Sequence, residues 1–190
     1  KKKGGGNYTK GKQIKDKYPN RNIGFKATNS DMTCLDYKYS LNEVFKHDGE
    51  IQPCRSGFHL CNNPIDTLRY YDNIFAVKRF FIVEYGHEFI EHHDKLVTNE
   101  ITLLEEINIL DFIQDNKDSF TQEDWNTISQ YQKLSEDFIR EHKDLVYWPD
   151  ISLHQTLSED LIREHRDLVD WNWISHNQTL SEDFIREHKD

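Results

Sequence analysis

A block of thirteen residues recurs three times near the end of this chain, and that recurrence constrains the fold more than any other feature. Residues 132–144, centred on Leu134-Ser135-Glu136-Asp137-Phe138-Ile139-Arg140-Glu141-His142, return almost unchanged from Gln155 and again from Gln178. Trp125, Trp148 and Trp171 keep the same spacing of 23, as do Ile128, Ile151 and Ile174. Near-identity at a constant period marks an architecture whose units bury their apolar faces against each other. Such arrays serve as binding surfaces or scaffolds rather than as sites of chemistry.

Each unit reads as two short helices. Ser135, Ser158 and Ser181 are suited to accept a hydrogen bond from the free N–H groups of a first turn. The acidic pair that follows, Glu136-Asp137 in the first copy, sits where the helix dipole favours negative charge. Leu134 and Ile139 have the spacing of a hydrophobic staple. Phe138, Ile139, His142 and Leu145 fall on one face, with Glu136 and Arg140 paired at i,i+4 on another. The other helix of the third unit starts near Asp170, with Trp171 and Ile174 inward. Pro149 takes the corresponding first turn of the second unit, a helical place that tolerates proline. Upstream, residues 111–118 match 137–144 at an offset of 26, which reads as a degenerate first repeat. The repeat region therefore runs over 108–190. The chain lacks an initiator Met and stops partway through a repeat, so it reads as a piece of a longer protein.

Ahead of the array, residues 1–22 hold eight Lys/Arg against Asp16 alone, a basic and flexible tail inside a chain of net charge −10. The rest is therefore strongly acidic, which argues against nucleic acid as the main partner and leaves the tail as the place for any weak contact with it. Nothing in the sequence resembles a signal peptide or a membrane span, since the longest apolar runs are strand-sized. Three cysteines, an odd number without a secretory signal, point to reduced thiols in a cytoplasm-like compartment.

Residues 23–107 mix strand and helix signals and predict an α+β domain with a largely antiparallel sheet. Strands are expected at 23–27, 57–61, 75–85 and 100–104, with extended chain at 36–45 and a turn at 47–50. Pro64 is placed to open a helix through Tyr71.

Within that domain Gly24-Phe25-Lys26-Ala27, Met32-Thr33-Cys34, Tyr39-Ser40-Leu41 and Cys54-Arg55-Ser56-Gly57-Phe58-His59-Leu60-Cys61 occur in order, followed by Asn63-Pro64 and Tyr70-Tyr71. The later Lys95-Leu96-Val97 and Glu100-Ile101 continue the pattern. In this respect the chain resembles an uncharacterised domain of phage, bacterial and giant-virus proteins that often precedes repeats. The C-terminal units resemble repeats abundant in giant DNA viruses of amoebae. Together these resemblances imply a viral or mobile-element origin and a place in the host cytoplasm or the virion, without implying a reaction.

Three chemistries are to be weighed. Cys34, Cys54, His59 and Cys61 supply the ligand types of a zinc site, and His59 and Cys61 share a strand face, yet no Cys-x-x-Cys knuckle is present. Cys54 or Cys61 with His59 as base would make a nucleophile pair, although neighbours in one strand rarely reach each other. The Gly-Phe-His strand and the helix ending in Tyr70-Tyr71 resemble a segment of ADP-ribosyltransferases, which implies NAD as cofactor and Glu84 or Glu100 as the transition-state carboxylate. Neither of that family's residue triads is complete here. Against all three stands a plainer expectation: Gly57 in a tight turn, His59 as a hydrogen-bonded core histidine, one core Trp and one structural His per repeat, and no metal or cofactor. The sequence thus predicts a non-enzymatic interaction or scaffold protein whose residues 108–190 bind a protein partner, with an ADP-ribosyltransferase-like enzyme as the alternative.

Overall fold

The protein is described from a computed structural model covering residues 14, 16–70 and 78–188. Tyr71, most of the basic tail and the beginning of the strand expected at 75–85 lie outside the described residues. By contacts the chain divides into two compact units, Lys1–Thr121 and Gln122–Asp190.

In the first unit β1 (Ile23–Asn29), β4 (Val44–Lys46), β5 (Phe58–Cys61), β6 (Lys78–Tyr85), β7 (Phe89–His92), β8 (Lys95–Thr98) and β9 (Glu100–Ile107) form a seven-stranded sheet of order β4-β9-β6-β1-β5-β8-β7. All its strand pairs are antiparallel. The hairpin β2 (Thr33–Cys34) and β3 (Tyr37–Lys38) stands beside it. The β1 strand is central and buries five consecutive residues, because both faces of a mid-sheet strand are covered.

Partners across a ladder share a face, so Phe25 lies with Ile82 and Lys26 with Phe81. The Phe25 face meets Phe112 of α1 (Ile109–Asn116), ring centroids 6.5 Å apart. On the Lys26 face lies a core of Tyr39, Phe58, Leu60, Phe81, Val83 and Leu103. Tyr39 packs edge-on against Phe45 and Phe58, the geometry that aromatic quadrupoles prefer.

The structure departs from the expected elements at three places. The segment after Pro64 is a 3₁₀ helix, Ile65–Tyr70, with the Thr67 N–H bonded to the Pro64 carbonyl three residues back and Asn63 Oδ1 capping the Ile65 N–H. The β9 strand runs three residues past the predicted Leu104. The β7–β8 hairpin was not anticipated at all, because β7 is exposed along its whole length and carries no alternation to read.

The second unit is helical: α2 (Gln122–Tyr131), α3 (Glu136–Glu141), α4 (Trp148–His154), α5 (Glu159–Glu164), α6 (Trp171–Asn177) and α7 (Glu182–Glu187). Ser135, Ser158 and Ser181 cap their helices through Oγ, and Pro149 lies in the first turn of α4, as the sequence requires. In the two-helix units α2 packs on α4 and α4 on α6.

The links between successive units repeat with the sequence. Gln155 donates to the carbonyls of Ser129 and Gln132 and accepts from the Leu134 N–H, while Gln178 does the same to Ser152, Gln155 and Leu157. Arg140 reaches Glu164 at 2.7 Å and Arg163 reaches Glu187 at 2.9 Å. Glu136 and Glu159 accept the backbone N–H of the next unit's capping serine. The glutamines and glutamates thereby satisfy backbone groups that would otherwise be orphaned at short helix ends.

Trp125 and Trp148 are core residues, as expected, with the Trp148 Nε1–H donating to the Lys143 carbonyl. Trp171, expected inward, is 38% exposed, and Ile185 is 50% exposed where Ile139 and Ile162 are fully buried. These positions are covered by the next unit in the earlier copies, and no described unit follows α7. Asn116 repeats the local bonding of the array histidines: its amide donates to the Phe112 carbonyl at 2.7 Å, as the His142 ring does to Phe138 at 2.9 Å.

Candidate functional site

The β1 and β5 strands meet at one pair, Phe25↔Cys61, and then part. A cavity of about 570 Å³ opens where they separate, within the range of small-ligand sites. Its floor is β1 and β5, and its rim is the turn between β2 and β3 together with the 54–57 loop. The structure brings Cys34, Cys54, His59, Cys61 and Tyr70 to its wall.

The 54–57 loop explains why the sequence reads Gly-Phe-His at β5. Gly57 has φ +98°, and a Cβ there would stand 2.8 Å from Val97 and 2.9 Å from the Thr98 carbonyl, so glycine is required. His59 then reaches back over the loop. Its Nε2 accepts the Cys54 N–H at 2.9 Å, and its ring is also hydrogen-bonded to the Gly57 backbone. Burial, with Lys26 and Lys95 nearby, holds its pKa below the ordinary histidine value. A neutral ring with both nitrogens engaged is neither a free base nor an open metal ligand. The tight turn and the bonded histidine are therefore both present, and together they hold Cys54 at φ +62°.

The thiols differ in setting. Cys54 is exposed at the rim, Cys34 half-buried and Cys61 buried, and none of the three is in a disulfide. Burial pushes the Cys61 thiol well above its ordinary range, with Asp66 and Asp94 adding to the shift, which makes it a poor nucleophile. Among the described residues no group of three or more His, Cys, Asp or Glu is placed to hold a metal ion. The four candidate zinc ligands share the cavity wall without converging.

Tyr70 lies under Lys95, whose Nζ is 4.1 Å from the ring centre, a cation–π distance. Burial and a hydrogen bond to Asp94 keep its hydroxyl protonated far above the usual phenol range. The glutamates proposed with it are elsewhere: Glu84 pairs with Arg21 at 3.2 Å and Glu100 with Lys46 at 3.0 Å, and neither lines the cavity.

Sequence reasoning missed the cations. Lys26 is only 6% exposed; its Nζ donates to the His59 carbonyl at 3.0 Å and lies 3.6 Å from Cys34 Sγ. Arg55 and Lys95 line the same cavity. A lysine in the middle of an otherwise buried strand was the available signal, because such burial is rare without a partner.

Residues 22–115 match the model of a family described as a domain of unknown function (DUF7666). That match spans the seven-stranded sheet and all but the last residue of α1, and ends before the helical unit. The N-terminal part is thus an uncharacterised domain, in line with the resemblance carried by the Gly24 to Tyr71 pattern. None of the curated proteins and none of the solved structures compared with the chain matches it. Among the described residues no helix is long and apolar enough to cross a membrane.

Proposed function

We propose that the protein is a non-enzymatic interaction protein of a virus or mobile element, acting in the host cytoplasm or the virion, whose helical array docks a protein partner with a basic surface. The observation that carries this reading is the disposition of charge in the array. Its repeat arginines lie along the stack: Arg140 and Arg163 each contact two carboxylates of their own helix and one of the next. The side chains of Asp137, Asp160 and Asp183 stand outside at 98, 90 and 93% exposure, one per unit in a row. Residues 122–190 hold 16 Asp and Glu against 7 Lys and Arg. Exposed ion pairs are weak in water, so these carboxylates stay available to a cationic partner, and the same field repels nucleic acid and anionic lipid.

The test uses the whole chain as bait in host-cell extract, beside a variant carrying Asp137→Asn, Asp160→Asn and Asp183→Asn. The expected result is a basic protein that binds the parent chain, weakens with added salt and binds the variant about tenfold less well or worse. A partner held equally by the variant, or unaffected by salt, would overturn the reading.

An ADP-ribosyltransferase-like head using NAD is the second reading. The size of the cavity and the presence of His59 and Tyr70 on its wall favour it; the absence of a carboxylate from the described lining weighs against it. NAD cleavage by the full chain that disappears in Tyr70→Phe would support it, and no cleavage would remove it.

A further inference from the structure

Three cations line the head cavity, and none of them is in an ion pair among the described residues. Lys26, Arg55 and Lys95 all line it, whereas no Asp or Glu does among the described residues. Lys26 has the His59 carbonyl, the Cys34 sulfur and the Tyr39 ring as neighbours, and Lys95 has the Tyr70 ring. Asp66 lies 3.9 Å from Arg69, and Asp94 is hydrogen-bonded to the Tyr70 hydroxyl. A lysine 6% exposed that forms no ion pair among the described residues is costly to bury. An anion in the cavity would offset that cost.

A second observation concerns the rim. Leu35 is 87% exposed and has φ +53°, a conformation unfavourable for a branched apolar side chain. It belongs to the two-residue turn joining β2 and β3, and it lines the cavity mouth. The hairpin turn imposes that φ and leaves an apolar side chain exposed at the cavity entrance. The remaining wall is mainly apolar, with Phe25, Ala27 and Leu60 offering surface that an inorganic ion would not use.

We propose that this cavity binds a small organic phosphate, its anionic group held by Lys26, Arg55 and Lys95 and its organic part lying between Leu60, Phe25 and Leu35. Three positive charges suit a phosphate dianion better than a single carboxylate. The volume accommodates a ligand of nucleotide size. Leu35 would become covered on binding. This site is independent of the array's docking surface, so either can fail without the other.

The experiment is isothermal titration calorimetry of the full chain with AMP, phenyl phosphate, inorganic phosphate and adenosine. AMP or phenyl phosphate should bind with Kd below about 1 mM, inorganic phosphate more weakly, and adenosine without measurable heat. Arg55→Ala, at an exposed position with no ion pair to lose, should weaken the organic phosphate about tenfold, and Leu35→Ser should weaken it without changing inorganic phosphate. Lys26→Met should abolish binding; its circular dichroism reports whether it folds, and Arg55→Ala decides the question if it does not. Failure of both organic phosphates to bind, equal binding of adenosine, or unchanged affinity in Arg55→Ala would overturn the proposal.

Discussion

The two units of this protein are stabilised in opposite ways. In the array each device occurs at intervals of 23 residues: one glutamine bridging three backbone groups, one arginine linking neighbouring helices, one serine cap, one Trp–His ring contact. In the head almost every important group occurs once. Gly57 supplies the turn, His59 pins the loop, and Lys26 bridges the gap where β1 leaves β5. Redundant, local contacts suit a surface that can be lengthened or shortened without redesign. Single-copy, long-range contacts suit a site, because they fix a particular constellation and fail when one member is removed.

Substitutions that strike one region should therefore leave the other intact. The largest effect is expected from Trp148→Ala, at about 3–5 kcal/mol for a buried large aromatic. Trp148 is 7% exposed and packs 4.8 Å from the His165 ring. Thermal unfolding followed by far-UV circular dichroism should show the helical signal melting earlier while the sheet signal holds its position. A near-unchanged melt would make the tryptophan row a binding platform instead of a core.

Gly57→Ala comes next and strikes the head. The left-handed backbone and the crowding by Val97, Thr98 and Ile51 should together cost about 2–4 kcal/mol, with the helices unaffected. Loss of the helical signal at the same temperature would show that the two regions unfold as one.

Gln155→Ala should cost about 1–3 kcal/mol, because the Leu134 N–H and two carbonyls lose their partner at once. Chemical denaturation reads this, and a loss under about 0.5 kcal/mol would mean that water replaces the amide.

The smallest expected effect is that of pH on His59. Its pKa in the folded head lies below the ordinary 6.5, so the unfolded chain takes up the proton first as pH falls. Its contribution to stability is therefore complete above about 6.5 and declines below it. The NMR titration midpoint of the His59 ring should lie under 6.5; a midpoint above that value would contradict the buried, neutral assignment.

The contrast also explains what was legible in the sequence. The array was readable down to its caps, because three aligned copies turn Ser135, Pro149 and Trp148 into positions with a pattern. The exposure of Trp171 and Ile185 was not, since it depends on which neighbour is present and not on the residue. In the head, β1 and the Gly57-Phe58-His59 turn were visible through their composition. The exposed β7 strand was invisible because nothing on it is buried. Cys34, Cys54, His59, Cys61 and Tyr70, which the sequence assigned to separate chemistries, line one cavity. What gives that site its character is Lys26, which looked like an ordinary polar interruption in a strand until the sheet placed it beneath the cavity. Charge within a cavity is a tertiary property that no local pattern announces.

Hydrogen–deuterium exchange of the unmodified full chain, read by mass spectrometry, tests the central contrast most directly. In a one-dimensional stack, protection falls toward an uncovered end, whereas a sheet core opens as a unit. The account predicts protection decreasing from α4 to α6 and α7, where Trp171, Trp173 and Ile185 are exposed, with uniformly strong protection across β1, β6 and β9. Equal protection in all three repeats, exchanging at one rate with the sheet, would contradict it.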